Sequence, residues 1–454
     1  MSKAVKMGFW SIVLLTINSI IGSGIFLTPG GVVKSSGKLA PLVYLCAAAF
    51  AACLAITFAA ASKYVSKGGA AYAYAKAGFG DKVGLYVGVT RFFSAAIAWG
   101  VMATAVVRTT FSIFGVDPSN GAITIGFLVL MLILLIVNMV GTKILTLISN
   151  LSTIGKMVAL GITIVAGGWI LISTGQNHFN EINNLVASGE IPQMNPSLFV
   201  MSVVSAFYAF TGFESIASGS QDMEKPEVNL PRAIPLGVGI IAVFYIGIVL
   251  VSMMLNPEAL ALSKEVVVLA AVFDQPLIKG LIIIGALVSM FGINVAASFH
   301  TPRVIEAMAQ EKQFPAIFAK RLENGFPLIA FMLTATLAIA VPIAFDYQMS
   351  SIMVISAISR FVQFIIVPLA VILFYLGKSK EPVLNAVKSK FTDFVFPILS
   401  IILTVVLLMM FDWAGQFTTD GNINVLAILA MIVGYVVIPF AVFVYDSQTK
   451  KSLS

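Results

Sequence analysis

Of 454 residues, 59% are hydrophobic and only 10% charged, too apolar a balance for a soluble globule that must wet its surface. The net charge is +7, but its lysines and arginines fall in short segments between apolar runs, which excludes a nucleic-acid-binding surface and reads as a polytopic all-α membrane protein. Two cysteines and two histidines supply neither a disulfide framework nor a metal-ligand set, so no cofactor or metal is expected.

A bilayer core about 30 Å thick needs about 20 apolar residues per helix. Hydropathy predicts twelve such spans, at 8–34, 38–61, 83–114, 121–140, 148–174, 196–220, 234–254, 277–303, 326–344, 349–377, 394–412 and 423–445. With the N-terminus inside, nineteen of the 27 basic residues fall in cytoplasmic segments and only Lys34, Lys38, Lys264 and Lys279 outside. That bias predicts a multi-pass protein of the plasma membrane, surrounded by lipid, with both termini cytoplasmic. The first apolar run is too long for a signal peptide and lacks a small-residue cleavage site, so it reads as a mature helix.

Span 1 contains "TINSIIGSGIFLTPGG", with Gly22, Ser23 and Gly24 near mid-depth. Glycines and a serine weaken a helix where no bulk water can replace its hydrogen bonds, so a break there must line a cavity or permit close helix packing. Span 2 holds Cys46 and Cys53, seven residues apart on one face, which read as packing residues. Span 3 carries Arg91 and Arg108, and span 5 carries Lys156. An ionisable residue in the membrane costs roughly 2.5–3.5 kcal/mol on insertion scales and needs a partner or a role. Lys156 has two turns or more of apolar helix beside it, an awkward path for snorkelling to the interface.

Span 6 repeats the anomaly of span 1: Thr211, Gly212 and Glu214 interrupt its apolar run. Two glycine-interrupted spans in corresponding positions of two halves are the sequence pointer to a secondary-transporter site. Where such a helix unwinds, amides at the start of the outer half-helix attract an anion, and carbonyls at the end of the preceding half suit an ammonium group. A free amino acid carries both charges on adjacent groups. Glu214, just inside the break, reads either as a group that titrates at an intracellular gate or as a structural carboxyl bonded to Ser215 and Ser218. His300 falls at the cytoplasmic end of span 8, and Arg360 in span 10 is the positional counterpart of Lys156. Asp222, Glu224, Lys225, Glu227 and Arg232 form a charged cytoplasmic loop able to pair with "RVIE" after span 8. No acid/base dyad, activated nucleophile or metal cluster points to an enzyme.

Three stretches together, "IIGSGIFLTPG" in span 1, "FYAFTGFES" followed by "EKPEVNLPRAI" in span 6, and "RVIEAMAQEKQFPAIFAKR" after span 8, resemble the amino acid, polyamine and organocation permeases. The resemblance extends over nearly the whole chain. It implies a LeuT-like fold: a first inverted repeat in residues 1–175 and a second in 196–378, then two trailing helices in 394–446, all in one membrane domain with helices 1 and 6 unwound at mid-membrane.

Carried over by position, the resemblance implies that amides around Gly22, Ser23 and Gly24 hold the substrate carboxylate, with the Ser23 hydroxyl at hand. The amine lies against carbonyls near Ile20, Tyr208 and Thr211, and Tyr208 also gates the site from outside. Lys156 stands where sodium-coupled transporters of this fold keep a cation, as a built-in positive charge or as a proton carrier. The stretches "SAAIAWGVMATAV", "SMFGINVAAS" and "SSIMVISAIS" suggest an uncharged side-chain pocket, and Ala297 replaces the tryptophan with which arginine/agmatine exchangers stack a guanidinium. The implied function is a sodium-independent transporter of neutral L-amino acids working by alternating access, as an exchanger or with a proton. An antiporter of histidine for histamine or tyrosine for tyramine is the alternative. An amino-acid-sensing receptor or channel is disfavoured by the absence of a regulatory domain and of a continuous polar pore lining.

Overall fold

The computed structural model describes residues 7–66, 69–140, 142–217, 223–263, 266–419 and 421–453. Ten of its helices are long and apolar enough to cross a membrane, and Phe9–Ile20 and Leu328–Ala344 are shorter apolar helices. In chain order the first are α1 (Phe9–Ile20), α2 (Gly24–Ser36), α3 (Ala40–Tyr64), α4 (Ala71–Phe79), α5 (Asp81–Ile113), α6 (Asn120–Val140), α7 (Thr142–Thr174) and the short α8 (Ile182–Ala187). There follow α9 (Pro196–Tyr208), α10 (Phe213–Ile216), α11 (Pro226–Leu255), α12 (Pro257–Leu262), α13 (Val268–Ala271) and α14 (Pro276–Gln310). The chain ends in α15 (Leu328–Ala344), α16 (Met349–Ile358), α17 (Phe361–Tyr375), α18 (Phe396–Met410), α19 (Trp413–Gln416), α20 (Val425–Ile432) and α21 (Ile438–Leu453). A two-residue hairpin, Thr418–Thr419 with Asn422–Ile423, joins α19 to α20.

Several helices outrun their hydropathic spans. α11 starts at Pro226 rather than 234 because "PEVNLPRA" is polar yet helix-competent, with Pro226 in the first turn where its missing amide costs nothing. α14 likewise runs on to Gln310 past the expected end at 303. Hydropathy senses lipid contact, whereas a helix stops only where its backbone bonding stops. For the same reason α4, nine residues of "AYAYAKAGF" packed through Tyr74 and its alanines, lies outside every predicted span.

Small residues let the helices approach. A Cβ on Gly285 of α14 would come within 2.8 Å of the Gly155 carbonyl of α7, so these two helices meet almost backbone to backbone. Behind the interruption between α9 and α10, Phe50 and Phe58 of α3, Phe207, Phe213, Phe361 and Phe364 pack ring on ring at centroid distances of 4.6–6.5 Å. Edge-to-face packing of this kind holds its backbones in place. Two of these rings adjoin residues of the candidate site: Phe207 precedes Tyr208, and Phe361 follows Arg360.

Candidate functional site

The chain loses its helix at two places that touch. α1 ends with the Ile21 amide on the Ile17 carbonyl at 3.0 Å, and the Gly22 amide then folds back on the Ile20 carbonyl at 2.8 Å. Backbone bonding resumes only with the Phe26 amide on the Ser23 carbonyl at 3.1 Å. The amides of Ser23, Gly24 and Ile25 therefore donate to no backbone carbonyl among the described residues, at the N-terminus of α2 where the helix dipole is positive.

The second interruption is built differently. After α9 the amides of Ala209, Phe210 and Thr211 tighten onto carbonyls three residues back, at 3.0, 2.9 and 3.2 Å. Gly212 then takes φ +120°, a conformation that side chains of L-residues rarely adopt. Its amide donates to Glu214 Oε2 at 2.7 Å, so this freed N–H already has an anion of its own. The Tyr208 carbonyl accepts both the Thr211 amide at 3.2 Å and the Thr211 hydroxyl at 2.8 Å, leaving it no ready lone pair for a ligand amine. The Ile20 carbonyl, which among the described residues accepts only the Gly22 amide, has one.

Contacts between the two interruptions are at the steric limit. A Cβ on Gly24 would lie 2.5 Å from the Ala209 Cα, and one on Gly212 would collide with the Ser19 carbonyl. Ser19 Oγ donates to the Gly212 carbonyl at 3.3 Å and lies 3.3 Å from Ser215 Oγ, while Ser23 Oγ and the Tyr208 hydroxyl are 3.3 Å apart. Ile20, Gly22, Ser23, Gly24, Tyr208, Thr211, Lys156 and Glu214 are all buried, and they gather around this junction.

Two basic side chains grip the junction from either side. Lys156, in α7 and 2% exposed, donates to the Asn18 carbonyl at 3.0 Å, to Asn18 Oδ1 at 2.7 Å and to the Ile21 carbonyl at 2.7 Å. Thr153, one turn earlier, donates to the same Asn18 oxygen at 3.0 Å. Three acceptors around one nitrogen match the three hydrogens of an ammonium group. This geometry also removes any need for Lys156 to snorkel, since its charge is satisfied by the end of α1.

Arg360 occupies the gap between α16 and α17. Its Nε donates to Glu214 Oε1 at 3.0 Å, and its Nη1 donates to the Ser356 carbonyl at 2.5 Å and the Ser356 hydroxyl at 3.1 Å. Arg91 Nη2 stands 4.0 Å from the same Glu214 oxygen. Of the two readings of Glu214, bonding to Ser215 is not seen: Ser215 Oγ turns instead to the Gly212 carbonyl at 2.6 Å, and the carboxylate oxygens go to Arg360 and the Gly212 amide. Ser218 and Asp222 lie outside the described residues.

Other expected groupings fall elsewhere. Among the described residues, "RVIE" does not pair with the loop after α10, whose Asp222 lies outside them. Glu306 takes Arg321, Arg303 donates to the Phe299 carbonyl, and that loop is held by the N-terminus, where the Glu224 amide donates to the Met7 carbonyl at 2.9 Å. A carbonyl four residues back on the same helix, or a charge just beyond its end, takes these groups instead. His300 is exposed. Arg108 donates to the Tyr347 carbonyl at 3.1 Å, away from the junction. Sequence reasoning passed over Asn18, Ser19 and Thr153. The signal was present, since Asn18 and Ser19 are polar residues in an apolar run one turn before the break.

The chain has relatives of known type. The family model described as amino acid permease matches residues 7–437. An uncharacterized transporter of Mycobacterium tuberculosis (strain ATCC 25618 / H37Rv) is 38% identical over 456 residues, covering 97% of this chain and 94% of the relative. The serine/threonine exchanger SteT of Bacillus subtilis is 29% identical over 334 residues, 71% of this chain and 72% of its own. The putrescine transporter PotE of Haemophilus influenzae is 27% identical over 340 residues, 74% of this chain and 75% of its own. With its long apolar helices, its paired interruptions and this match along almost its whole length, the chain is an integral membrane protein that belongs to the amino acid permease family.

Proposed function

We propose that this protein is a sodium-independent secondary transporter of the plasma membrane that exchanges L-amino acids by alternating access. One observation carries the reading: the unbonded amides of Ser23, Gly24 and Ile25 open the N-terminus of α2 beside the Tyr208 hydroxyl, while the Ile20 carbonyl keeps a free lone pair at the end of α1. A carboxylate and an ammonium group on adjacent atoms fit that pair of ends. The second interruption cannot serve as the carboxylate site as it stands, because Glu214 already holds the Gly212 amide. Neutral side chains, as in the serine/threonine exchanger, suit the small and apolar lining of the neighbouring helices.

Lys156 acts in this reading as a fixed cation at the end of α1. Its three oxygen partners would be short of one hydrogen on loss of a proton, which favours a built-in charge over a proton carrier and makes sodium unnecessary. Tyr208 gates the site from outside and Glu214 from the cytoplasmic side, and both termini face the cytoplasm.

The fold assigned to this reading has twelve crossings, with α1/α2, α9/α10 and α16/α17 each forming one interrupted crossing. Residues 1–175 and 196–378 form inverted repeats and 394–446 adds two helices. The pairing of basic residues supports the repeat: Lys156 in the fifth crossing binds the end of α1, and Arg360 in the tenth binds Glu214 at the start of α10. An antiporter exchanging an amino acid for its decarboxylated amine is the second reading, favoured by the similarity to a putrescine transporter. Purified protein in liposomes, tested for counterflow of labelled amino acids and amines with and without sodium and a pH gradient, separates the two. Strict dependence of uptake on sodium defeats the role given to Lys156.

A further inference from the structure

We infer that Tyr435, near the end of the chain, is a positioning residue of the inner gate: its hydroxyl holds the interruption between α16 and α17 so that Arg360 meets Glu214. The inference rests on the transport reading and deepens it, since it gives a trailing helix a part in the gate. α20 and α21 are joined by a single π-helical turn, Val433–Val437. Such a turn inserts one residue into an α-helix, which swings the side chains beyond it to a new face, and it recurs at functional sites. Val433, Val436 and Val437 of this turn are exposed, whereas Gly434 is buried and Tyr435 half-buried against the rest of the protein.

The turn touches both elements that carry a basic partner of Glu214. One is α5. A Cβ on Gly434 would collide with the Phe93 ring, and Tyr435 meets that ring edge to face at a centroid distance of 5.6 Å. The Tyr86 hydroxyl donates to the Tyr435 carbonyl at 3.4 Å. Tyr86 and Phe93, seven residues apart, share one face of α5. Arg91, two residues before Phe93, is turned about 200° away from it, since each helical residue adds about 100°. Its Nη2 stands 4.0 Å from Glu214 Oε1.

The other element is the interrupted crossing of α16 and α17. α16 ends at Ile358, and bonding resumes with the Phe364 amide on the Arg360 carbonyl at 3.2 Å, so among the described residues the Ser359 carbonyl accepts no backbone amide. The Tyr435 hydroxyl donates to this freed carbonyl at 2.5 Å. Within a membrane no bulk water can stand in for that donor. The next residue is Arg360, whose Nε donates to Glu214 Oε1 at 3.0 Å. Arg91 and Arg360 thus approach one carboxylate oxygen from two elements that the same turn braces. Among the described residues the hydrogen bonds of Tyr435 end at Ser359 and Tyr86, so its loss acts on the gate and leaves the amides of α2 as they are. Conformational steps of this kind set turnover more than binding.

The test is counterflow in proteoliposomes containing the full chain, with labelled serine, threonine and leucine, for wild type, Tyr435→Phe, Gly434→Ala and Gly434→Ala/Phe93→Leu. Tyr435→Phe removes one hydrogen bond between neutral groups and is expected to lower the saturating velocity about two- to tenfold, with a smaller change in KM. Gly434→Ala lowers it as well, and Phe93→Leu, by making room for the added methyl, restores part of the loss. In an Arg360→Gln background Tyr435→Phe should have little further effect, because the group it positions is gone. If Arg360→Gln gives no measurable exchange, the velocity and KM of Tyr435→Phe and the Phe93→Leu rescue decide. A wild-type velocity in Tyr435→Phe, a change confined to KM, no rescue by Phe93→Leu, or the same fold loss with and without Arg360 overturns the inference and leaves the transport reading standing. No exchange of any of the three amino acids by wild type overturns both.

Discussion

Lys156 Nζ, reaching across from α7, lies 2.7 Å from the Ile21 carbonyl, the last oxygen before the first interruption of the helix. The negative end of α1 is thereby capped by a buried positive charge, and the loose amides of α2 begin two residues further on. Replacing the lysine leaves the Asn18 and Ile21 carbonyls without a donor. Hydrogen bonds to charged groups contribute roughly 1.5–3 kcal/mol. Lys156→Ala is therefore expected to slow amino acid exchange at least tenfold in liposomes while the protein still elutes as a monodisperse species. Unchanged turnover removes Lys156 from the mechanism.

The glycines of the two interruptions differ in what they tolerate. At Gly212 any side chain meets the Ser19 carbonyl in a backbone conformation of φ +120°, which costs on the order of 1–3 kcal/mol before the clash is counted. At Gly24 the obstacle is the Ala209 backbone at 2.5 Å. Neither obstacle is a flexible side-chain tip. Gly22 is looser, with the Ile293 side chain nearest at 3.7 Å. Gly212→Ala and Gly24→Ala should lower the thermal midpoint sharply or abolish recovery of folded protein, and Gly22→Ala should purify like wild type. Similar melting curves for all three would contradict the close approach of the two breaks.

Removing the Tyr208 hydroxyl isolates its contact with Ser23, a long one at 3.3 Å between two neutral groups. A net contribution of about 0.5–1.5 kcal/mol is typical for such a bond. Tyr208→Phe should raise the KM for exchange roughly two- to tenfold with little effect on folding. A KM equal to wild type would separate the tyrosine from the substrate.

Glu214 and Arg360 are expected to depend on each other. Breaking a buried pair from one side costs roughly 3–5 kcal/mol because a charge is stranded. Glu214→Gln strands two arginines, so the double variant Glu214→Gln/Arg360→Gln should be less damaging to thermal stability than the sum of its two single variants. A double-mutant cycle read from unfolding in detergent should give a coupling of at least about 1 kcal/mol. Additive effects would mean that the 3.0 Å contact contributes nothing.

A control for these variants lies far from the junction. Asp393, fully buried at the start of the helix leading into α18, accepts from Lys63 at 2.6 Å, the Tyr64 hydroxyl at 2.7 Å and the Ser389 amide at 3.0 Å. It ties the C-terminal helices to α3. Asp393→Asn should lower the melting midpoint while the KM of the remaining folded protein stays that of wild type. A shifted KM would connect this lock to the substrate site.

What the sequence determined by itself was whatever depends on local chemistry. Apolar runs mark lipid-contacting helices because backbone groups must be satisfied within each crossing. Gly22, Ser23, Gly24 and Gly212 mark weak points because glycine and serine weaken a helix, although Gly155 and Gly285 sit within unbroken ones. Lys156 stood out because an ammonium group inside an apolar run demands a partner. The partner itself was a matter of tertiary structure. Asn18 and Ile21 are separated from Lys156 by more than 130 residues, and Glu214 from Arg360 by 146, so no local pattern links them. Only the folded chain decided that Glu214 fills the Gly212 amide and leaves the amides of α2 open, that Ser215 turns away from the carboxylate, and that Arg91 and Arg360 converge on the same carboxylate oxygen. Such choices depend on distances between helices, and those are set by how the small residues and the phenylalanine cluster pack rather than by any one helix.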